Sequence, residues 1–433
     1  MSWIKRRPLL AIAALAFAVR AASAVVTEFK PIFPAYYYTD AKSAHEEALA
    51  GLAAVRAGQP IALEGNLSHR LHILMTIGVY RALGPSELGI KLFNAAVGAA
   101  GIAALAGAFG YLFTPAAALA AGAALALWPS DAFYTSQNLK ESPTLALAFI
   151  GLLAAFPLGL RPPLAAPRRS ALAALLFCSL VGVGLLRSYI LLCMAGALIA
   201  AFALEARSPE LRSRSLRVVA VSALAMALYP VFSHALYAGL QRSGEAGTRS
   251  APDNARIQPS LIPETISDNT RITVYRPTSP EGLSAFRHTR QFNDRRFAWN
   301  AAGREIGTQI FPDVIFHSWL DVLLYLPKGA FYVLFMPLPG LYPMDGKLGR
   351  IAAAAENLIL LAFACLAAAG FWRGPKNAGR VSLILFFAGM TIGSALLEFD
   401  LGSAARHKLL YLPMLFPFAA EELLRLLGRE ERV

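Results

Sequence analysis

Charge is scarce in this chain: Asp, Glu, Lys and Arg make up only 15% of its 433 residues, against 56% hydrophobic residues. With a mean hydropathy of +0.51, that scarcity excludes an ordinary soluble globular domain and implies an integral membrane protein. Cysteine is equally sparse. Cys178, Cys193 and Cys365 all fall inside apolar runs, where they read as small core residues, and no disulfide framework is implied. The chain has no Walker loop, dinucleotide fingerprint, HExxH motif or paired CxxC motif. Those absences remove nucleotide-driven transport and zinc hydrolysis as simple readings.

What is present is a series of Ala- and Leu-rich apolar runs. Their length suits bilayer-spanning helices of about 20 residues rather than alternating strands of about ten. Spans are expected near 8–26, 88–112, 114–129, 142–157, 171–187, 188–205, 217–239, 350–372, 380–397 and 408–422. Lys5-Arg6-Arg7 before the first span predicts a cytoplasmic N-terminus. The connections holding Arg161–Arg169, Arg207–Arg217 and Arg373–Arg380 then fall on the same side, as the positive-inside rule requires. The net charge of +13 is therefore assigned to topology and not to nucleic acid. Ala21-Ala22-Ser23-Ala24 is similar to a signal-peptidase site, but Arg20 inside the apolar run counts against a signal peptide.

Trp319 to Pro339 is apolar but carries Asp321, Pro327 and Lys328, and a crossing there would move Arg373–Arg380 outside. It is expected to be a re-entrant or interfacial helix. The expected architecture is all-α: a polytopic membrane bundle of about ten transmembrane helices, with surface-lying helices at Ala41–Ala57 and Leu71–Leu83 in the first outer loop. Three parts are expected: a core over 1–239, an extracytoplasmic loop over 240–349, and C-terminal helices over 350–433.

Charged residues concentrated in the outer regions are the candidates for chemistry. Asp40 precedes a helical pattern and reads either as an N-cap or as a carboxylate base. Glu46 and Glu47 on the same helix read as a solvated face. Between Pro129, which should end one span, and Ser142-Pro143, which should cap and open the next, lie Lys140 and Glu141. These are an interfacial anchor pair, or a cation for a phosphate beside a carboxylate for an acceptor or metal. Arg406 and His407, with Lys408, form a basic cluster that opposes the positive-inside trend, and a guanidinium fork matches phosphate oxygens. Arg187 and Tyr189 mark another outer boundary. Arg271, Arg276, Arg287, Arg290, Arg295 and Arg296 populate the long loop, where solvation or local pairing is the plainer reading of each.

The order of these features resembles the GT-C superfamily of polytopic glycosyltransferases, which includes protein O-mannosyltransferases, aminoarabinose transferases and the catalytic subunit of oligosaccharyltransferase. An Asp in the first outer loop is followed by surface helices and by Gly84-Pro85-Ser86-Glu87 through Asn94 and Gly98. Then come a span ending Leu127-Trp128-Pro129 and the Lys140-Glu141 loop. The likeness covers mainly residues 8–205. It implies that Asp40 and Glu141 are the catalytic carboxylates, and that Lys140, Arg406 and His407 bind a donor phosphate. Lys140-Glu141 departs from the paired acids of metal-binding members, so no metal or other cofactor is expected. The implied partners are a polyprenyl-phosphate-linked sugar, a glycan, lipid or protein acceptor, and membrane lipids, with no nucleic acid. The implied setting is a bacterial inner membrane with the site facing outward. Two alternatives remain at this level. One is an O-antigen ligase or polymerase-like enzyme using a lipid diphosphate, with His288, His317 or Arg296 essential. The other is a lipid-glycan flippase, against which stand the absence of a visible internal repeat and the placement of almost every charge at a span end.

Overall fold

The computed structural model describes residues 3–33, 37–63, 65–160, 164–248, 310, 311, 314, 316–344, 348–398 and 400–428. The loop arginines from Arg271 to Arg296, and His288, lie outside them.

The described chain is all-α. Ten helices precede the long loop: α1 Trp3–Phe29, α2 Thr39–Arg56, α3 Leu67–Leu83, α4 Glu87–Phe109, α5 Pro115–Ala126, α6 Pro129–Ser136, α7 Glu141–Leu160, α8 Ala166–Leu186, α9 Ser188–Glu205 and α10 Arg212–Thr248. Five follow it: α11 Trp319–Phe335, α12 Leu348–Arg373, α13 Ala378–Leu397, α14 Leu401–His407 and α15 Phe416–Leu426. Local chemistry sets many of the starts. Asn66, Ser86 and Asn377 each accept a backbone N–H three residues on, at 3.0, 3.1 and 2.9 Å, opening α3, α4 and α13. Thr114 caps α5 with Pro115 at its first turn, and Pro129, which has no N–H to lose, opens α6.

Among the described residues, eight helices are long and apolar enough to cross a membrane. A ninth crossing is available if α5 and α6, bent by 59° at Leu127-Trp128, form one broken span. The expected tenth span at 408–422 is not a continuous helix. It comprises two short 3₁₀ turns, Lys408–Leu410 and Leu412–Leu415, followed by the 11-residue α15. Pro413 and Pro417 explain the break, since neither can donate to the carbonyl four residues back. α11 opens with a reciprocal capping box between Ser318 and Asp321, and Trp319, Leu320, Leu323 and Leu324 are left exposed along it. It is a helix of 17 residues with Pro327 inside it.

One large apolar cluster runs through the bundle. α4 and α7 approach closely at Gly101, where an added Cβ would lie 2.9 Å from the Ala146 Cα. The amphipathic α2 and α3 have a separate small core of Ala44, Ala48, Leu52, Ile73, Ile77 and Tyr80, completed by Ile90 of α4. That core seats the surface helices as a unit on the bundle and so fixes where the start of α2 sits.

Arg20 is fully buried. Its guanidinium pairs with Asp131 of α6 and donates to Thr135 Oγ1 at 2.9 Å and to the Ala126 carbonyl at 3.2 Å. A charge inside an apolar bundle persists only with such partners, and here they tie α1 to the α5–α6 bend.

Candidate functional site

Asp40 is not a helix cap. α2 begins at Thr39 behind Tyr38, whose side chain makes no capping bond, so Asp40 stands in the first turn. Its carboxylate instead reaches across the chain: Asp40 Oδ2 accepts from Arg406 Nη1 at 2.5 Å, with 67% of the Asp40 side chain exposed. The helix N-terminus also favours a negative charge at this position.

The 137–140 segment between α6 and α7 is immobilised by polar contacts on both sides. Asn94 Nδ2 donates to the Gln137 carbonyl at 2.7 Å, and Gln137 Nε2 donates to Thr27 Oγ1 at 3.1 Å. From α3, Thr76 Oγ1 donates to Asn138 Oδ1 at 3.2 Å, and His72 Nε2 donates to the Asn138 carbonyl at 3.3 Å. Burial pushes the His72 imidazole down to about 4, so it is neutral at pH 7 and serves this segment as a structural donor. Ser142 does not cap α7 as its position before Pro143 suggests. The helix starts one residue earlier, and the Ser142 hydroxyl donates to the Asn94 carbonyl at 2.6 Å.

This frame places Lys140 and Glu141. Lys140 Nζ donates to Ser68 Oγ at 3.0 Å, and Ser68 in turn donates to the Leu186 carbonyl at 2.5 Å. Burial, reinforced by the Arg187 charge, depresses the Lys140 amine to about 8. The Glu141 side chain is completely buried, and its Oε1 accepts from Arg406 Nε at 2.6 Å and from Arg187 Nη2. Arg187, at the α8–α9 junction, also donates through Nη1 to the Tyr189 hydroxyl and to His407 Nε2, each at 2.9 Å. His407 Nδ1 lies 2.5 Å from Glu398 Oε1 at the end of α13. The result is one continuous chain of contacts, Asp40–Arg406–Glu141–Arg187–His407–Glu398, with Lys140 alongside.

All five residues singled out in the sequence therefore meet at one end of the bundle, although Asp40 and Arg406 are 366 positions apart. Lys408 does not join them: its Nζ turns inward to Asn357 Oδ1 at 2.5 Å and the Leu334 carbonyl at 3.3 Å. Sequence reasoning gives Arg187 and Glu398 no site role, yet Arg187 is the hub. The signal was available in the sequence, because an arginine set between two apolar runs with no linker is expensive in a membrane unless partnered. Glu47 and His69 pair with each other at 2.8 Å on α2 and α3, away from the chain of contacts just described. Among the described residues, no group of three His, Cys, Asp or Glu side chains is spaced to hold a metal ion.

No family model and no curated protein matches this sequence. Solved structures to which the chain is similar include ArnT from Cupriavidus metallidurans bound to undecaprenyl phosphate. That match has a TM-score of 0.41 and 14% identity, and covers 95% of this chain and 77% of that one. Another is the archaeal oligosaccharyltransferase AglB from Archaeoglobus fulgidus, in complex with an inhibitory peptide and a dolichol-phosphate. Here the TM-score is 0.45 at 13% identity, over 100% of this chain and 53% of that one. The chain thus spans about half the length of AglB. Likenesses this distant assign no activity, and the chemistry of the site stands on its own geometry.

Proposed function

We propose that the protein is a membrane glycosyltransferase that moves a sugar from a polyprenyl-phosphate donor to an acceptor at the extracytoplasmic face of a bacterial inner membrane, with inversion. The observation that carries this reading is the Asp40–Arg406 contact. A solvent-accessible carboxylate touches a guanidinium that is itself held from behind by a buried carboxylate, Glu141. A base and an anion-binding group are thereby offered side by side at the end of an apolar bundle, where a lipid phosphate would present its headgroup.

In this mechanism the acceptor hydroxyl or amine attacks the anomeric carbon on the face opposite the phosphate. Asp40 takes the acceptor proton, the new bond to the sugar forms, and the bond from the anomeric carbon to the phosphate oxygen breaks. Polyprenyl phosphate leaves with that electron pair. Arg406 and Lys140 stabilise the charge gathering on the leaving phosphate. Glu141 receives both guanidiniums on Oε1 and so orients Arg406, while its Oε2 is buried without a hydrogen-bond partner among the described residues.

The test is product analysis with the full-length chain in proteoliposomes. Polyprenyl-monophosphate sugars and an envelope extract as acceptor should yield free polyprenyl phosphate, detected by mass spectrometry. Consumption only of polyprenyl-diphosphate glycans would instead assign the chain to the ligase or polymerase class.

A further inference from the structure

Arginine cannot accept a hydrogen bond and does not deprotonate in proteins, so Nη1 of Arg187 must be the donor in its 2.9 Å contact with His407 Nε2. That nitrogen of His407 therefore carries a lone pair and no proton. The ring proton resides on Nδ1, which donates to Glu398 Oε1 at 2.5 Å. Both ring nitrogens are thus occupied, and the imidazole in this arrangement is neutral. Arg187 is likewise engaged on both sides: Nη1 serves Tyr189 and His407, while Nη2 serves Glu141. Glu141 then holds Arg406 through the same oxygen that receives Arg187.

We infer that His407 is not a phosphate ligand but a positioning residue: a neutral acceptor, backed by Glu398, that fixes Arg187 against Glu141 and so sets the pose of Arg406 toward an anionic lipid headgroup. This inference deepens the proposed function and rests on it for the identity of the ligand. The geometry separates it from the phosphate-ligand role, because the two roles demand opposite chemistry at position 407. A ligand role needs positive charge. A positioning role needs an acceptor for Arg187 and a donor for Glu398, and a glutamine amide supplies both.

The experiment compares His407→Gln with His407→Lys in the full-length protein. Binding of undecaprenyl phosphate is measured by titration in detergent, and the thermal midpoint is measured on the same samples. His407→Gln is expected to bind within about threefold of the parent. His407→Lys should bind about tenfold or more weakly, the scale of one lost charge-assisted hydrogen bond. The reverse order, equal binding by all three proteins, or equal loss in both variants would each overturn the inference.

The thermal midpoint does not depend on the ligand. His407→Lys sets an ammonium against the buried Arg187 and should melt several degrees below His407→Gln, whereas equal or higher stability of His407→Lys overturns the inference. If the parent binds no polyprenyl phosphate while the melting order holds, the functional reading falls and the positioning role stands.

Discussion

Replacing Asp40 by Asn separates structure from chemistry at the residue on which the proposed mechanism turns. The structural cost is bounded by the geometry. Asp40 stands in the first turn of α2 and not at its N-cap, its side chain is 67% exposed, and among the described residues its ion-pair partner is Arg406. An ion pair this open to solvent contributes roughly 0–1 kcal/mol, and the helix-terminus term adds about 0.3–1 kcal/mol. The Asn amide oxygen can still accept from Arg406 Nη1, which recovers part of that sum. The variant should therefore insert, purify and melt within a few degrees of the parent. An amide cannot take up the acceptor proton, however, and general-base contributions run to about 10²–10⁴-fold. Transfer from the lipid donor, followed as release of polyprenyl phosphate, should fall at least about a hundredfold, equivalent to about 2.7 kcal/mol of transition-state stabilisation. Donor binding should be little changed. Near-parental turnover would refute the assignment of Asp40 as base and move the search to the remaining acids of the site.

Arg406→Lys keeps the charge but cannot serve Asp40 and Glu141 through separate nitrogens as Nη1 and Nε do, so turnover should drop. Arg406→Ala should lose about 2–4 kcal/mol in transition-state terms, and equal activity of all three proteins in a donor titration would remove Arg406 from the site. Because the Lys140 amine is depressed to about 8, it loses its charge as pH rises through that value, and donor affinity should fall there. Lys140→Arg should abolish the inflection, since its guanidinium stays protonated. The linked stability effect has the opposite direction: below about pH 8 the depressed amine disfavours the folded state, and this penalty is relieved as pH rises from about 8 to about 10.5, so stability increases across that window. Arg20→Met or Asp131→Asn alone should destabilise by about 3–5 kcal/mol by stranding a buried charge. Arg20→Met with Asp131→Leu should recover much of it, and additive losses in the melting of the purified proteins would count against the pair. A cysteine at Lys376, in a background lacking Cys178, Cys193 and Cys365, should be labelled only from the cytoplasm. Labelling from outside would invert the C-terminal half.

Composition made the fold class legible, and the surface helices were readable because their polar–apolar pattern differs from that of the spans. At the C-terminal segment a continuous span is expected but the helix is broken, because hydropathy averages over Pro413 and Pro417 and a window of apolar residues does not register missing N–H donors. At the site, Asp40, Lys140, Glu141, Arg406 and His407 stood out as charges at predicted outer boundaries, a property of local sequence. Which charge touches which is a property of the bundle. Nothing within the Asp40 segment distinguishes a cap from a partner of Arg406, because that choice depends on how the core of α2 and α3 seats the helix start. The role of Arg187 is hidden from the local sequence for the same reason: it lies in joining Glu141 to His407, residues 46 and 220 positions away.

The charges of the cluster explain why a site so rich in arginine needs buried acid. Lys140, Arg187 and Arg406 stand against Asp40, Glu141 and Glu398, three cations and three carboxylates, with His407 neutral in its assigned tautomer. Without Glu141, two guanidiniums would face each other across a buried gap at mutual cost, and neither would hold a fixed pose. With it, Arg187 is locked and Arg406 keeps one face toward Asp40. In the proposed mechanism, the negative partner of Arg406 Nη1 disappears when Asp40 takes the acceptor proton, at the moment the leaving phosphate gains charge. The guanidinium can then transfer its hydrogen bond from carboxylate to phosphate while the total charge of the site and substrate stays constant. A site that needs no import or expulsion of charge during the reaction suits the low dielectric of a membrane interface, where an uncompensated charge is most costly.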